Sequence, residues 1–99
     1  MIKPLEKFAD KETMHMFVVL GDVNNYSSLA YMNTCGTAFN SCLNNMRNSD
    51  YVRNLTYQID WLLVKNEYKK DWDKLKQLKK CLLEYDVLGF MYLLRDLLS

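Results

Sequence analysis

The sequence predicts an all-α fold, a single compact bundle of four to six short helices, and three observations predict it. The stretch from Ser49 to Ser99 holds three successive runs whose apolar residues recur at helical spacing. The connections between those runs are very short, as between antiparallel neighbours in a bundle. Finally, the one apolar cluster that periodicity leaves ambiguous, Phe17–Leu20, has no second β-branched run to pair with, and a lone strand leaves its backbone groups unsatisfied.

Taken in order, residues 1–11 are charged, contain the only proline (Pro4) and lack apolar periodicity, so they are expected to be a flexible lead-in, and residues 12–99 the bundle. The first helix is expected over Glu12–Val23, stopping near Asn24 and Asn25. Ser27 or Ser28 is placed to cap the next, Leu29 to about Leu43, with Leu29, Met32, Cys35, Phe39, Cys42 and Leu43 on one face. Asn33, Thr34, Gly36 and Thr37 interrupt that stripe, which predicts a break near Gly36, and Asn44 to Ser49 reads as a loop.

From there the pattern is strong. Ser49 or Asp50 is expected to cap a helix burying Val52, Leu55, Ile59, Leu62 and Leu63 and ending at Asn66. Asp71 is expected to cap the next, with Trp72, Leu75, Leu78 and Leu82 on one face and six lysines between Lys69 and Lys80 mostly on the other. After Asp86 the chain runs Val87, Leu88, Phe90, Met91, Leu93, Leu94, Leu97 and Leu98, an apolar band wide enough to need neighbours on several sides.

Composition narrows the chemistry. At 99 residues the chain makes one domain, and 49% hydrophobic residues can fill its core without disulfides or metal. Thirteen basic against twelve acidic side chains give a net charge of +1, so nothing steers it strongly toward nucleic acid or an anionic membrane. Three cysteines, Cys35, Cys42 and Cys81, are an odd number without framework spacing, which fits a reducing compartment. The N-terminus lacks an apolar signal region and no run approaches the ~20 residues that span a bilayer. The expected location is therefore cytoplasmic, a host cytoplasm if the protein is viral.

No catalytic residues are expected. His15, the single histidine, reads as a helix-surface residue and the cysteines as small core hydrophobes. A Cys–His pair remains the alternative that spacing alone leaves open. Metal ligands are not clustered and the three glycines are isolated, so neither a metal site nor a phosphate cradle is expected, and no cofactor. Asp71 with Asp73 and Glu84 with Asp86 read as negative first turns of helices. The lysine run is interrupted by Glu67, Asp71 and Asp73 and reads as a solvated face ahead of a nucleic-acid footprint.

The segment Trp61-Leu62-Leu63-Val64-Lys65-Asn66, followed by Leu75 to Leu88, is similar to the fourth-to-sixth-helix stretch of the death effector domains, six-helix bundles of the death-fold superfamily. Residues 16–98 lie over that plan in order, with helices at Met16–Val23, Ser28–Thr37 and near Asn40–Met46 before the three strong ones. The family's R-x-D-L signature is met by Asp86, but Glu84 stands in the arginine position and Val87 in the leucine position, so its surface charge triad is not carried over. The resemblance implies homotypic docking in cell-death or innate-immune signalling, or a viral mimic that interrupts it.

The function expected is a non-enzymatic protein–protein interaction domain presenting a helix face to another protein, a second copy included. The alternative is a small viral or phage inhibitor that binds and blocks a host protein, and a nucleic-acid-binding bundle ranks third. Seven tyrosines are many for this length, and exposed aromatics favour protein contact. The partner-binding patch is expected around the connection between Trp61 and Trp72, formed by Tyr68, Lys69, Lys70, Trp72 and Lys76, with Tyr68 at its centre.

Overall fold

The strongest stripes in the sequence line the centre of the molecule. The structure, a computed structural model, describes residues 2–15 and 28–99. From Ser28 onward four α-helices follow one another: α1 (Ser28–Met46), α2 (Ser49–Leu62), α3 (Trp72–Glu84) and α4 (Val87–Leu98). A 3-10 helix at Lys3–Phe8 and a helical turn at residues 11–15 precede them, and a second 3-10 helix, Asn66–Asp71, joins α2 to α3. No strand occurs among the described residues, and the fold is an all-α bundle. Among those residues no helix is long and apolar enough to cross a membrane. The expected helix over Glu12–Val23 is seen through residue 15, and its remainder lies outside the described residues, as does Ser27.

Helix α4 sits against α3, α1 and the N-terminal 3-10 helix at once. That placement is the consequence of its wide apolar band, which buries Val87, Phe90, Met91, Leu94, Leu97 and Leu98. The stripes of α2 (Leu55, Ile59, Leu62) and α3 (Leu75, Leu78, Leu82) are buried as their spacing predicts, and Val52 is half-buried at the rim.

Several expectations are corrected. The lead-in is part of the core: Ile2, Leu5 and Phe8 are buried, and the Ile2 N–H donates to the Leu97 carbonyl at 2.9 Å. Residues 2, 5 and 8 repeat every three, the period of a 3-10 helix, with Pro4 supplying its fixed φ in the first turn. Helix α1 does not break at Gly36 but runs unbroken for 19 residues, through both the second and third helices of the plan above. Ala38, Cys42 and Met46 are buried along it and Cys35, Phe39 and Leu43 pack on the core, which outweighs the roughly 1 kcal/mol cost of a helical glycine. The expected loop from Asn44 to Ser49 shrinks to Arg47 and Asn48, and Asn48 is the cap of α2, accepting from the Asp50 and Tyr51 N–H groups at 3.0 and 3.2 Å. Finally, α2 stops at Leu62 and Asn66 opens the 3-10 helix; Asp71 holds the N-cap position of α3 without a side-chain cap hydrogen bond.

The α3–α4 corner is tight. Tyr85 adopts the left-handed conformation (φ 58°), and the Asp86 N–H donates back to the Cys81 carbonyl at 2.9 Å. Asp86 then caps α4 by accepting from the Gly89 N–H at 3.0 Å. A Cβ at Gly89 would meet the Asp86 carboxylate, so a larger residue there would have to displace the capping side chain. Glu84, read with Asp86 as a negative first turn, instead closes the C-terminal end of α3.

Candidate functional site

Helix α2 has two useful faces. Leu55, Ile59 and Leu62 go to the core, whereas Asn54, Tyr57, Gln58 and Trp61, at i, i+3, i+4 and i+7, form a second stripe looking outward. The N-terminal 3-10 helix runs beside that stripe and contributes Pro4, Lys7 and Phe8. Between them lies a shallow groove of about 650 Å³. Its floor is tied down: the Phe8 and Tyr51 rings meet edge to face with centroids 5.6 Å apart, and the Tyr51 hydroxyl donates to the Phe8 carbonyl. Burial is the main cause that pushes the Tyr51 phenol well above its ordinary range, so it stays a neutral donor.

The groove wall is aromatic and open to solvent. Tyr57 is 66% exposed and Trp61 46%, and Val64 beyond them is 73% exposed. Lys65 lays its ammonium over the Trp61 ring, 4.8 Å from the centroid, and Lys7 does the same over Phe8 at 5.3 Å. A second set of exposed apolar side chains, Leu83, Tyr85, Leu88 and Tyr92, lies around the α3–α4 corner.

Of the residues expected to form the partner patch, Tyr68 and Lys70 border one crevice and Trp72 packs on the core. Trp72 is half-buried against the core, and its indole N–H donates to the Leu62 carbonyl at 3.1 Å, which also accepts from the Lys65 N–H at 3.2 Å where α2 ends. Tyr68 is also half-buried and packs on the core; with Lys70 it borders a crevice shared with Ile2, Asp96 and Leu97 at the end of α4. Lys69 and Lys76 are exposed. Among the neighbouring lysines, Lys79 is taken up by Asp60 of α2 at 2.8 Å. The groove was legible in part: Pro4 and Phe8 stood in the supposed lead-in, while Tyr57 and Trp61 are spaced i, i+4 opposite the leucine stripe.

Cys42, Thr13, Asp10 and Ser41 lie together where residues 10–15 pack on α1. Cys42 is buried, and its sulfur lies 3.4 Å from the Thr13 hydroxyl. Burial raises the Cys42 thiol, and burial followed by the Asp86 carboxylate raises Cys81, so both resist forming the reactive thiolate. His15 is exposed and borders a small hollow with Glu12, Asn33 and Thr37, where no cysteine enters. Among the described residues no group of three or more His, Cys, Asp or Glu side chains is arranged to hold a metal ion.

The fold and this surface define the chain as a small helical bundle with an aromatic groove on one side. No family model, curated protein or solved structure matches it.

Proposed function

We propose that the protein is a non-enzymatic interaction domain that presents the outer face of α2, with the adjoining N-terminal 3-10 helix, to a partner protein. The observation that carries this reading is the solvent exposure of Tyr57 and Trp61, at i and i+4 on a helix whose opposite stripe is fully buried, with exposed Val64 just past its end. Amphipathic aromatics on a rigid helix are the side chains that most often anchor protein contacts. The face expected from sequence, around Tyr68 and Trp72, supports the proposal less well, because both rings already pack on the core. An adaptor and a blocking inhibitor would use the same surface and differ in what the captured partner can still do. Homotypic docking, which the resemblance to death effector domains implies, is the variant in which the partner is a second copy.

Photo-crosslinking tests the proposal. With a benzophenone side chain at Tyr57 the protein should crosslink to a discrete partner, and the same group at Lys76, on the exposed face of α3, should not. Trp61→Ala should abolish the product. Crosslinking from position 76 and not from 57 would place the interface on the lysine face instead. Purified protein crosslinking to itself from position 57 would identify the partner as another copy.

A further inference from the structure

The groove carries information about what fills it. Of the eight side chains that line it, four are aromatic (Phe8, Tyr51, Tyr57, Trp61), two are amides (Asn54, Gln58), one is proline and one is lysine, and none is a carboxylate. The charged groups around it are unequally engaged. Both acids of α2 are already paired, Asp50 with Arg53 at 2.7 Å and Asp60 with Lys79 at 2.8 Å. Lys7 and Lys65, held over aromatic rings at either side of the groove, have no carboxylate partner among the described residues. The local surplus is positive in a protein whose net charge is only +1.

The hydrogen-bonding groups point to the backbone conformation of the occupant. Asn54, Gln58, Tyr57 and Trp61 each offer an N–H or O–H at the rim, and none of these is taken up by another protein group among the described residues. A helical partner would satisfy its own carbonyls and leave these donors idle. A strand partner needs a sheet edge to pair with, and no strand occurs among the described residues. A polyproline II segment has every carbonyl free to accept, and its prolines carry no N–H that needs an acceptor. Its proline rings pack on aromatic faces, the mode by which aromatic-lined grooves take proline-rich chains.

Resting on the reading of this face as the interaction surface, we propose that the groove between the N-terminal 3-10 helix and α2 docks an extended, proline-containing acidic segment of another protein. Prolines sit between the Tyr57 and Trp61 rings, backbone carbonyls accept from Asn54 and Gln58, and flanking carboxylates meet Lys7 and Lys65.

Three labelled synthetic peptides of equal length test the proposal by fluorescence anisotropy: proline-rich with glutamates, proline-rich with lysines, and an alanine-based helix with the same glutamates and no proline. The first should bind at least about tenfold more tightly than either of the others. Its binding should move the Trp61 indole N–H resonance and leave that of Trp72 in place. Trp61→Ala and Lys7→Glu should each weaken it by about tenfold with unchanged melting, since both side chains are exposed. Equal binding of the lysine peptide, equal or tighter binding of the helix, no binding of the first peptide, or indifference to Trp61→Ala would each overturn the proposal. Crosslinking from position 57 to a protein partner while all three peptides fail would retain the interaction surface and reject this occupant.

Discussion

At the scale of single residues, Asp10 joins two helical segments. Its carboxylate accepts from the Thr13 N–H at 3.0 Å, capping the turn at residues 11–15, and also from the Ser41 hydroxyl and, at 3.3 Å, the Asn45 amide of α1. Partial burial raises the Asp10 carboxyl, but the hydrogen bonds from Ser41, Thr13 and Asn45 outweigh it and hold the group below its ordinary value of 3.8. As pH falls, the unfolded chain therefore takes up this proton before the folded one does. The stabilisation from Asp10 is complete above the ordinary carboxylate value and is lost as pH drops through the folded one. Asp10→Asn keeps an N-cap acceptor that does not titrate. Urea unfolding followed from about pH 6 to about pH 2.5 should show the parent losing more stability across the acid range than this variant. Parallel acid slopes would mean that Asp10 is not held in its charged form by the fold.

At the scale of elements, what happens at helix ends decides how the bundle closes. Asn48, Tyr85 and Asp86 each end or start a helix, and the α3–α4 corner turns in two residues because Tyr85 takes a left-handed conformation. That conformation costs a β-carbon-bearing residue roughly 1–2 kcal/mol, a penalty glycine avoids. Tyr85 is well exposed and little packing is lost with it. Tyr85→Gly should therefore stabilise the protein by about 0.5–1 kcal/mol, the penalty being offset in part by glycine's greater freedom in the unfolded chain. Thermal unfolding checks this, and a lower melting temperature would show that the exposed ring contributes more to the fold than its backbone strain removes.

At the scale of the whole molecule, the N-terminal segment closes the core that α4 organises. Leu5 is as completely buried as Ile59, the central residue of the α2 stripe. Leu5→Ala and Ile59→Ala should each cost about 2–5 kcal/mol, as large-to-small changes in a packed core do. Chemical denaturation of both variants measures the comparison. A Leu5 variant within experimental error of the parent would return residues 1–11 to the role of a lead-in. The same segment forms one wall of the aromatic groove, so loss of its packing would remove the groove as well as stability.

The sequence by itself determined the all-α class, the three helices after Ser49 and most of the core positions that their stripes name, with Val52, Leu63, Trp72 and Leu93 left half-buried and Leu88 exposed. Local periodicity is sufficient there, because a long amphipathic stripe has one economical way to be buried. Tyr57 and Trp61 lie outside the α2 stripe, but periodicity does not tell that they line a groove with another element. Tertiary structure alone decided three things. Gly36 and its polar neighbours stay helical because α1 is held from Ala38 to Met46 by the core, a stabilisation invisible to propensity. The first residues fold because a three-residue apolar spacing matters only once α4 offers a surface to receive Ile2, Leu5 and Phe8. Third, tertiary structure packs Tyr68 and Trp72 on the core, which is why the groove is proposed ahead of them. Whether an aromatic ring is an anchor or a piece of core depends on what packs against it, and for Trp72 that includes the carbonyl of Leu62, ten residues away in the chain.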